Sequence, residues 1–349
     1  MISSILRADS SQASLSTQGN LNNEIGVPLT LFNLRADHRR AVVELGMNHP
    51  GEIEVLARFA QPTVGLVNNA QREHQEFMAT VEAVALENGQ VISALPADGV
   101  AVYPAQDDYA ALWQRLAGSR KSITFGFQEG DVQAHEIAWT AGAWQFNLWT
   151  AKESLPCRLS IAGRHNVLNA LAATACTLAA GMTLSQIVKG LQSFEPVKGR
   201  SKSWEWQIDG HPFTLVDDTY NANPDSVRAA IDVLAELPAP RLLVLGDMGE
   251  VGQKGPEFHA EVGAYAKSRG IETLLTLGDL CQHSSLAFEG AKHFSDMESL
   301  QQYVLTHIAA QKSLVIKGSR FMKMERLVEA LRERTESAQV QERESVHAA

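Results

Sequence analysis

The residues able to do chemistry in this chain fall into five short clusters. In "VELGMNHPGEI" (43–53), Glu44 stands at or beside the carboxyl end of a short apolar run that reads as a buried strand. Open α/β sheets place ligand-binding groups at that end of their strands. A carboxylate there must be exposed, paired or metal-bound, because burying it bare is costly. Helix capping or a salt bridge would also account for Glu44. In "VNNAQREHQEF" (67–77), His74 again follows a strand-like run and shares a polar loop with Glu73 and Glu76. A solvated loop histidine is the plain reading. Together, Glu44 and His74 would suit an octahedral magnesium site, which uses few protein ligands and keeps waters and phosphate oxygens.

In "GRHNVLNA" (163–170), Gly163 precedes His165 and Asn166 at a helix start, and Asn169 lies one turn further on. Residues three apart share a helix face, so the two amides could pair with a purine edge; N-capping by Asn166 would need no ligand. "VDDTYNANPDSV" (216–227) ends an apolar run on Asp217 and Asp218. Asn223, Pro224 and Asp225 are helix-start signals, and capping explains the first two fully. It does not explain Asp217, Asp218, Tyr220 and Asn221 crowded into one loop. In "VIKGSRFMKME" (315–325), a run ends on Lys317 and a helix opens from Gly318 and Ser319. Amides at such a start, reinforced by Lys317 and Arg320, would bind phosphate or carboxylate, or simply be capped.

These clusters need elements to hold them. Apolar runs at 41–45, 63–67 and 99–104 alternate with helical patterns from Gly51 to Ala60, from an N-cap at Thr80, and through "DYAALWQRLAG". Such alternation predicts a parallel, doubly wound sheet. "SITFGF", "HEIAW", "WQFNLWT" and "PCRLSI" predict antiparallel strands attached to it, followed by helices at 165–181 and 184–194. "FEPVKGRSKS" reads as a hinge. Beyond it, strands at 213–218, 241–247, 273–278 and 313–318 alternate with helices at 224–237, 257–269, 297–310 and 320–334, a second α/β domain. "MISSILRADSS" reads as an amphipathic helix beginning in mid-turn, and the polar tail from Thr335 as disordered.

The 349 residues suit two domains, and 45% hydrophobic with 20% charged residues is an ordinary globular composition. A net charge of −10 argues against nonspecific binding to nucleic acid or to an anionic membrane. No apolar run is long enough for a membrane span. Cys157, Cys176 and Cys281 follow no metal or redox spacing and read as buried thiols of a reducing compartment.

In order along the chain, "ELGMNHPGEI", "GRHNVLNA", "PVKGR", "DDTYNANPDS", "LGDMGE" and "KGSR" closely resemble the Mur ligases over roughly residues 1 to 333. Within that family they resemble the branch that adds D-alanyl-D-alanine to a UDP-N-acetylmuramoyl-tripeptide. The resemblance implies a cytoplasmic, monomeric, ATP- and magnesium-dependent amide ligase of peptidoglycan synthesis. A tripeptide carboxylate would attack the γ-phosphate of ATP, and the dipeptide amine would displace phosphate from the acyl phosphate. It implies a mostly parallel P-loop-type ATPase domain over 1–199 and a Rossmann-like C-terminal domain over 200–334. Carried over by motif, Glu44 and His74 would hold magnesium and act with Arg200 and Lys317 in catalysis. His165, Asn166 and Asn169 would line the nucleotide site. Arg200, Asp218, Tyr220, Asn221 and Asn223 would reach ATP from the second domain as it closes. Lys317 and Ser319 would lie near the dipeptide, and Thr17, Gly19, Asn20 and Asn22 of "TQGNLNNEIG" near the UDP-linked substrate.

Two departures stand out. The family opens with a UDP-binding domain, a strand and a phosphate loop of the G-x-x-x-x-G-K-[ST] kind, whereas this sequence has no Gly-Lys dipeptide. The expectation is an N-terminally truncated ligase that lacks its first central strand and cannot hydrolyse ATP alone. Asn88 stands where related ligases carry a carbamylated lysine, with Glu87 as the candidate replacement for its charge. The competing expectations are a non-catalytic nucleotide- or dipeptide-binding fragment and another amide ligase of the superfamily, similar to folylpolyglutamate synthase.

Overall fold

A computed structural model describes residues 1–9, 13–140, 142–208 and 210–335. The chain divides into two compact units. One is Met1–Ser160 with Arg164–Glu195; the other is Ile161–Gly163 with the chain from Pro196 onward.

In the first unit, α1 (Ile2–Ala8) leads to β1 (Ala13–Ser16), α2 (Gly26–Leu31) and β2 (His38–Val42). β1 and β2 form a parallel pair of their own. The run ending near Glu44 is therefore not the buried strand its sequence suggests. β2 alternates half-buried and exposed residues and lies outside the main sheet. α3 (Glu52–Ala60), β3 (Val64–Leu66), α4 (Val81–Asn88), α5 (Gln90–Ser93), β4 (Val100–Pro104), α6 (Ala110–Ala117) and β5 (Lys121–Gly126) supply the alternating α/β part. β6 (Val132–Thr140), β7 (Ala143–Thr150) and β8 (Ser154–Leu159) complete a sheet ordered β3-β4-β5-β6-β7-β8. β5 runs parallel to both neighbours, and only β6 to β8 meander antiparallel. The expectation that antiparallel strands begin at "SITFGF" is corrected here: the α6 crossover brings β5 back beside β4 in the same direction.

α7 (His165–Ala179) packs across β3 to β6, and α8 (Leu184–Gln192) packs on β8 and α1. Leu56, Met78, Ile92, Tyr103 and Trp113 belong to one continuous buried core. The Trp113 indole N–H within it donates to the Ala85 carbonyl at 2.9 Å, so the large ring leaves no polar atom unpaired.

The second unit comprises β9 (Lys202–Ile208), β10 (His211–Asp218), α9 (Pro224–Glu236), β11 (Arg241–Gly246), α10 (Gly255–Ser268), β12 (Thr273–Leu277), α11 (Cys281–Phe288), β13 (Lys292–Phe294), α12 (Met297–His307) and β14 (Ser313–Lys317). The strand order is β13-β12-β11-β14-β10-β9, parallel except for the antiparallel edge strand β9. Alternate residues serve opposite faces: Leu243, Leu245 and Val315 join the cluster with α9 and α10, while Leu242, Val244, Leu314 and Ile316 join that with α12. The sheet is thus covered on both sides, as an α/β domain requires.

Two further expectations change. The helix drawn over 320–334 is broken: Arg320–Met322 form one 3-10 turn, Lys323 takes a left-handed φ of 50°, and the α-helix runs over 325–335. Thr335 is buried, its hydroxyl donating to the Arg332 carbonyl at 2.8 Å, so it belongs to that helix rather than to a tail. The rest of the expected tail, 336–349, lies outside the described residues. All three cysteines are free and buried, and burial pushes the Cys157 and Cys176 thiols up to about 12. Among the described residues no helix is long and apolar enough to cross a membrane.

Candidate functional site

In the first unit, the Glu44 segment and the 17–26 loop form one constellation. The Glu44 amide donates to the Thr17 hydroxyl at 2.9 Å, and the Asn22 side-chain amide donates to Glu44 Oε1 at 2.8 Å. The Gly46 amide donates to the Asn22 carbonyl at 2.8 Å. A Cβ at position 46 would lie 2.6 Å from Asn22 Nδ2, so glycine is what lets the two loops meet. Gly19, at a left-handed φ of 57°, and Asn20, whose carbonyl accepts from the Asn22 amide, shape the turn between them. Glu44 itself is exposed.

His74 sits in the separate loop after β3, with a left-handed φ of 51°; its carbonyl accepts from the Phe77 and Met78 amides at 2.9 and 2.8 Å. As a donor set for magnesium, the exposed Glu44 carboxylate fits a hard cation, while His74 adds a nitrogen, a less usual ligand for this ion.

Glu87 does something other than its sequence position suggested. Its carboxylate is buried and accepts from the Ile53 amide at 2.8 Å and the Gly51 amide at 2.9 Å. Both oxygens thus cap the N-terminus of α3, where a negative charge meets the helix dipole. Each oxygen is held by one backbone amide, so Glu87 serves as a cap for α3. Asn88 donates weakly to the Asn69 carbonyl and to Glu73, each at 3.3 Å.

At the start of α7, three asparagines and a histidine form a row. Asn68 Nδ2 donates to Asn169 Oδ1 at 2.9 Å, Asn169 Nδ2 to Asn166 Oδ1 at 3.0 Å, and Asn166 Nδ2 lies 3.1 Å from His165 Nε2. The N-cap position is Arg164, so Asn166 is not the cap that spacing alone allowed. Sequence reasoning passed over Asn68, although adjacent asparagines directly after a strand were a usable signal.

In the second unit, the loop after β10 is held from several sides. Asp217, fully buried, accepts from the Gly199 amide at 2.9 Å and the Thr219 hydroxyl at 2.6 Å. Asp218 accepts from the Ser201 amide at 3.0 Å and pairs with Lys317. The buried Lys317 also donates to the Asn221 carbonyl at 3.0 Å, bridging β14 to the β10 loop. Ser319 ties three strand ends together: its hydroxyl accepts from the Gly249 amide at 2.6 Å and donates to the Ala222 carbonyl at 3.2 Å. Its amide donates to the Asp247 carbonyl at 3.0 Å. Asn223 caps α9 in a reciprocal pair with Ser226. Arg200, exposed, stacks on the Tyr220 ring at 4.2 Å.

Asp247, His259 and Cys281 lie close enough in space to suggest a metal. Their hydrogen bonds say otherwise. Asp247 accepts from the Cys281 and Leu280 amides at 2.7 and 3.3 Å, and His259 Nε2 accepts from the Met248 amide at 3.0 Å. With His259 Nδ1 on the Gly255 carbonyl at 2.7 Å, no imidazole lone pair remains for an ion. Burial lowers the His259 pKa, keeping the ring neutral, and raises that of Cys281.

Residues 1–177 match the Mur ligase middle domain, and residues 204–320 match the Mur ligase glutamate ligase domain. The UDP-N-acetylmuramoyl-tripeptide–D-alanyl-D-alanine ligase of Escherichia coli is 39% identical over 323 residues, covering 91% of this chain and 71% of the relative. The ligase of the same name from Haemophilus influenzae is 38% identical, covering 96% and 74%. A crystal structure of MurF from Acinetobacter baumannii superposes with a TM-score of 0.88 at 35% identity, covering 95% of this chain and 73% of that one.

Proposed function

The chain belongs to the Mur ligase family, and on that premise we propose that it serves ATP-dependent joining of D-alanyl-D-alanine to a UDP-N-acetylmuramoyl-tripeptide. The observation that carries this reading is the 39% identity to a ligase named for that reaction, spread over 91% of the chain. In the reaction a tripeptide carboxylate oxygen takes the γ-phosphoryl group and ADP leaves. The dipeptide amine then adds to the acyl carbon and phosphate departs. Little covalent chemistry falls to the protein in such a sequence; it positions groups and neutralises charge.

The parts divide accordingly. His165, Asn166 and Asn169 form the nucleotide platform. The constellation of Thr17, Gly19, Asn20 and Asn22 orients Glu44 and faces the UDP-linked substrate. Glu44 and His74 would hold magnesium, which supplies countercharge to the phosphates when bound. Arg200, set by its stack on Tyr220, is the cation offered to phosphate from the second unit, with Asp218, Asn221 and Asn223 in the loop beside it. Lys317 and Ser319 act as positioning residues: buried and hydrogen-bonded across the strand ends, they preorganise the loops that would receive the dipeptide. A cytoplasmic monomer belongs to the same reading.

The test is calorimetric titration of the chain with D-alanyl-D-alanine. Saturable heat is expected, and its absence at millimolar dipeptide overturns the assignment. A second reading is a binding module without turnover. Phosphate release that requires ATP, UDP-tripeptide and dipeptide together decides between the two.

A further inference from the structure

A neutral histidine can carry its hydrogen on either ring nitrogen, but His259 has no such choice. The residue is fully buried on α10, and both ring nitrogens face backbone groups, whose direction is fixed. The Gly255 carbonyl can only accept, so Nδ1, 2.7 Å away, must carry the hydrogen. The Met248 amide can only donate, so Nε2, at 3.0 Å, must offer its lone pair. The other tautomer would set N–H against N–H at Met248. Met248 lies in the loop after β11, and its two neighbours are tied to Ser319. The Asp247 carbonyl accepts from the Ser319 amide at 3.0 Å, and the Gly249 amide donates to the Ser319 hydroxyl at 2.6 Å. That hydroxyl in turn donates to the Ala222 carbonyl, in the loop before α9. His259 thus holds the middle of a three-residue segment whose two ends hold Ser319.

We propose that His259 is a positioning residue that acts through Met248: its accepting Nε2 fixes the 247–249 loop, which seats the Ser319 hydroxyl among the strand-end loops that receive the dipeptide. The last step rests on the reading of Ser319 given above. Met248 is buried, so an amide there that loses its acceptor cannot turn to water, and the chain that carries it must move instead. Because Ser319 is bonded to the residues on both sides of Met248, that movement reaches it directly. The role belongs to one nitrogen and is separable from the burial of the ring. A side chain that supplies an acceptor at the Nε2 position keeps it, and one that satisfies only Gly255 does not.

Two substitutions separate the nitrogens. His259→Gln ends in an amide that reaches as far as Nε2, so its oxygen can accept from Met248. His259→Asn is one bond shorter and reaches only as far as Nδ1, so its nitrogen can donate to Gly255 while Met248 is left without an acceptor. The readouts are amide hydrogen exchange at Met248 and Gly249, with Val262 of α10 as the control, and calorimetric titration with D-alanyl-D-alanine. Expected in His259→Gln are exchange and affinity within about twofold of the parent. Expected in His259→Asn are roughly tenfold faster exchange at Met248 and Gly249 and roughly tenfold weaker dipeptide binding, with Val262 unchanged. In the parent chain a scalar coupling should pass from the Met248 amide nitrogen to His259 Nε2. Absence of that coupling, or a hydrogen on Nε2, overturns the proposal, and so does equal behaviour of the two variants. Equal loosening at Val262 marks a general packing defect and counts against it. Loosened amides with unchanged affinity in His259→Asn overturn the link to the dipeptide. If the parent binds no dipeptide, the reading of the Ser319 loops fails, while the hold on Met248 is still decided by exchange. Should His259→Asn not fold, the parent carries the test: saturating dipeptide should shift the Met248 and Gly249 amide signals, and unmoved signals contradict the proposal.

Discussion

Glu87 shows how a side chain's surroundings decide between two plausible roles. From sequence it neighbours the position of a modified lysine and could lend charge to a metal. In the fold it is tied to two backbone amides at the start of α3. Glu87→Ala should therefore lower stability by about 2 kcal/mol, read as a drop in the chemical-denaturation midpoint, and should leave magnesium affinity unchanged. His259 makes a second prediction. Its folded pKa lies below the 6.5 of the free side chain, so the unfolded chain takes up protons first as the pH falls. Its contribution is complete above about 6.5 and is lost as the pH falls from there through the folded pKa. Urea midpoints at pH 7.5 and 5.5 should differ, and His259→Gln should shrink that difference; an equal slope in the variant would exclude His259 as its source.

At the scale of elements, close approaches set the geometry. α10 crosses α11 at Gly263, where a Cβ would sit 2.2 Å from the Ser284 carbonyl oxygen. The same crossing carries the Ser284 hydroxyl bond to the His259 carbonyl at 2.7 Å. Gly263→Ala should cost about 1–3 kcal/mol and loosen the loop that holds Asp247, measurable as faster amide exchange at Cys281. Periodicity revealed most of the long elements: β10, β11 and β14 are continuous apolar runs because both faces are buried, and Thr80 and Asn223 cap the helices their side chains announced. It missed β9, whose first residues look like hinge, although Trp204 and Trp206 alternate inward to pack on the core. It also missed α11, where Cys281, Ser284 and Phe288 are buried among polar neighbours without a strong apolar stripe. β2 was misjudged because branched residues signal a strand but not which sheet receives it.

At the scale of the whole molecule, each of the two α/β units places its candidate polar residues in loops that follow strands. The constellations were legible in sequence as motifs, because chemistry demands particular residue types in order. Their internal wiring was not, since it depends on contacts across long separations. Asn68 meets Asn169, and Lys317 meets Asp218, only after folding. That wiring holds Lys317 between Asp218 and the Asn221 carbonyl, a pairing no spacing in the sequence announces. The central claim is that the start of α7 in the first unit is a nucleotide platform built on asparagine amides. Calorimetric titration of ADP into the chain and into Asn169→Ala tests it most directly. The account predicts saturable binding to the parent chain and at least roughly tenfold weaker binding to the variant, with thermal stability little changed. Equal affinity in the two proteins, or no binding by the parent chain, would contradict it.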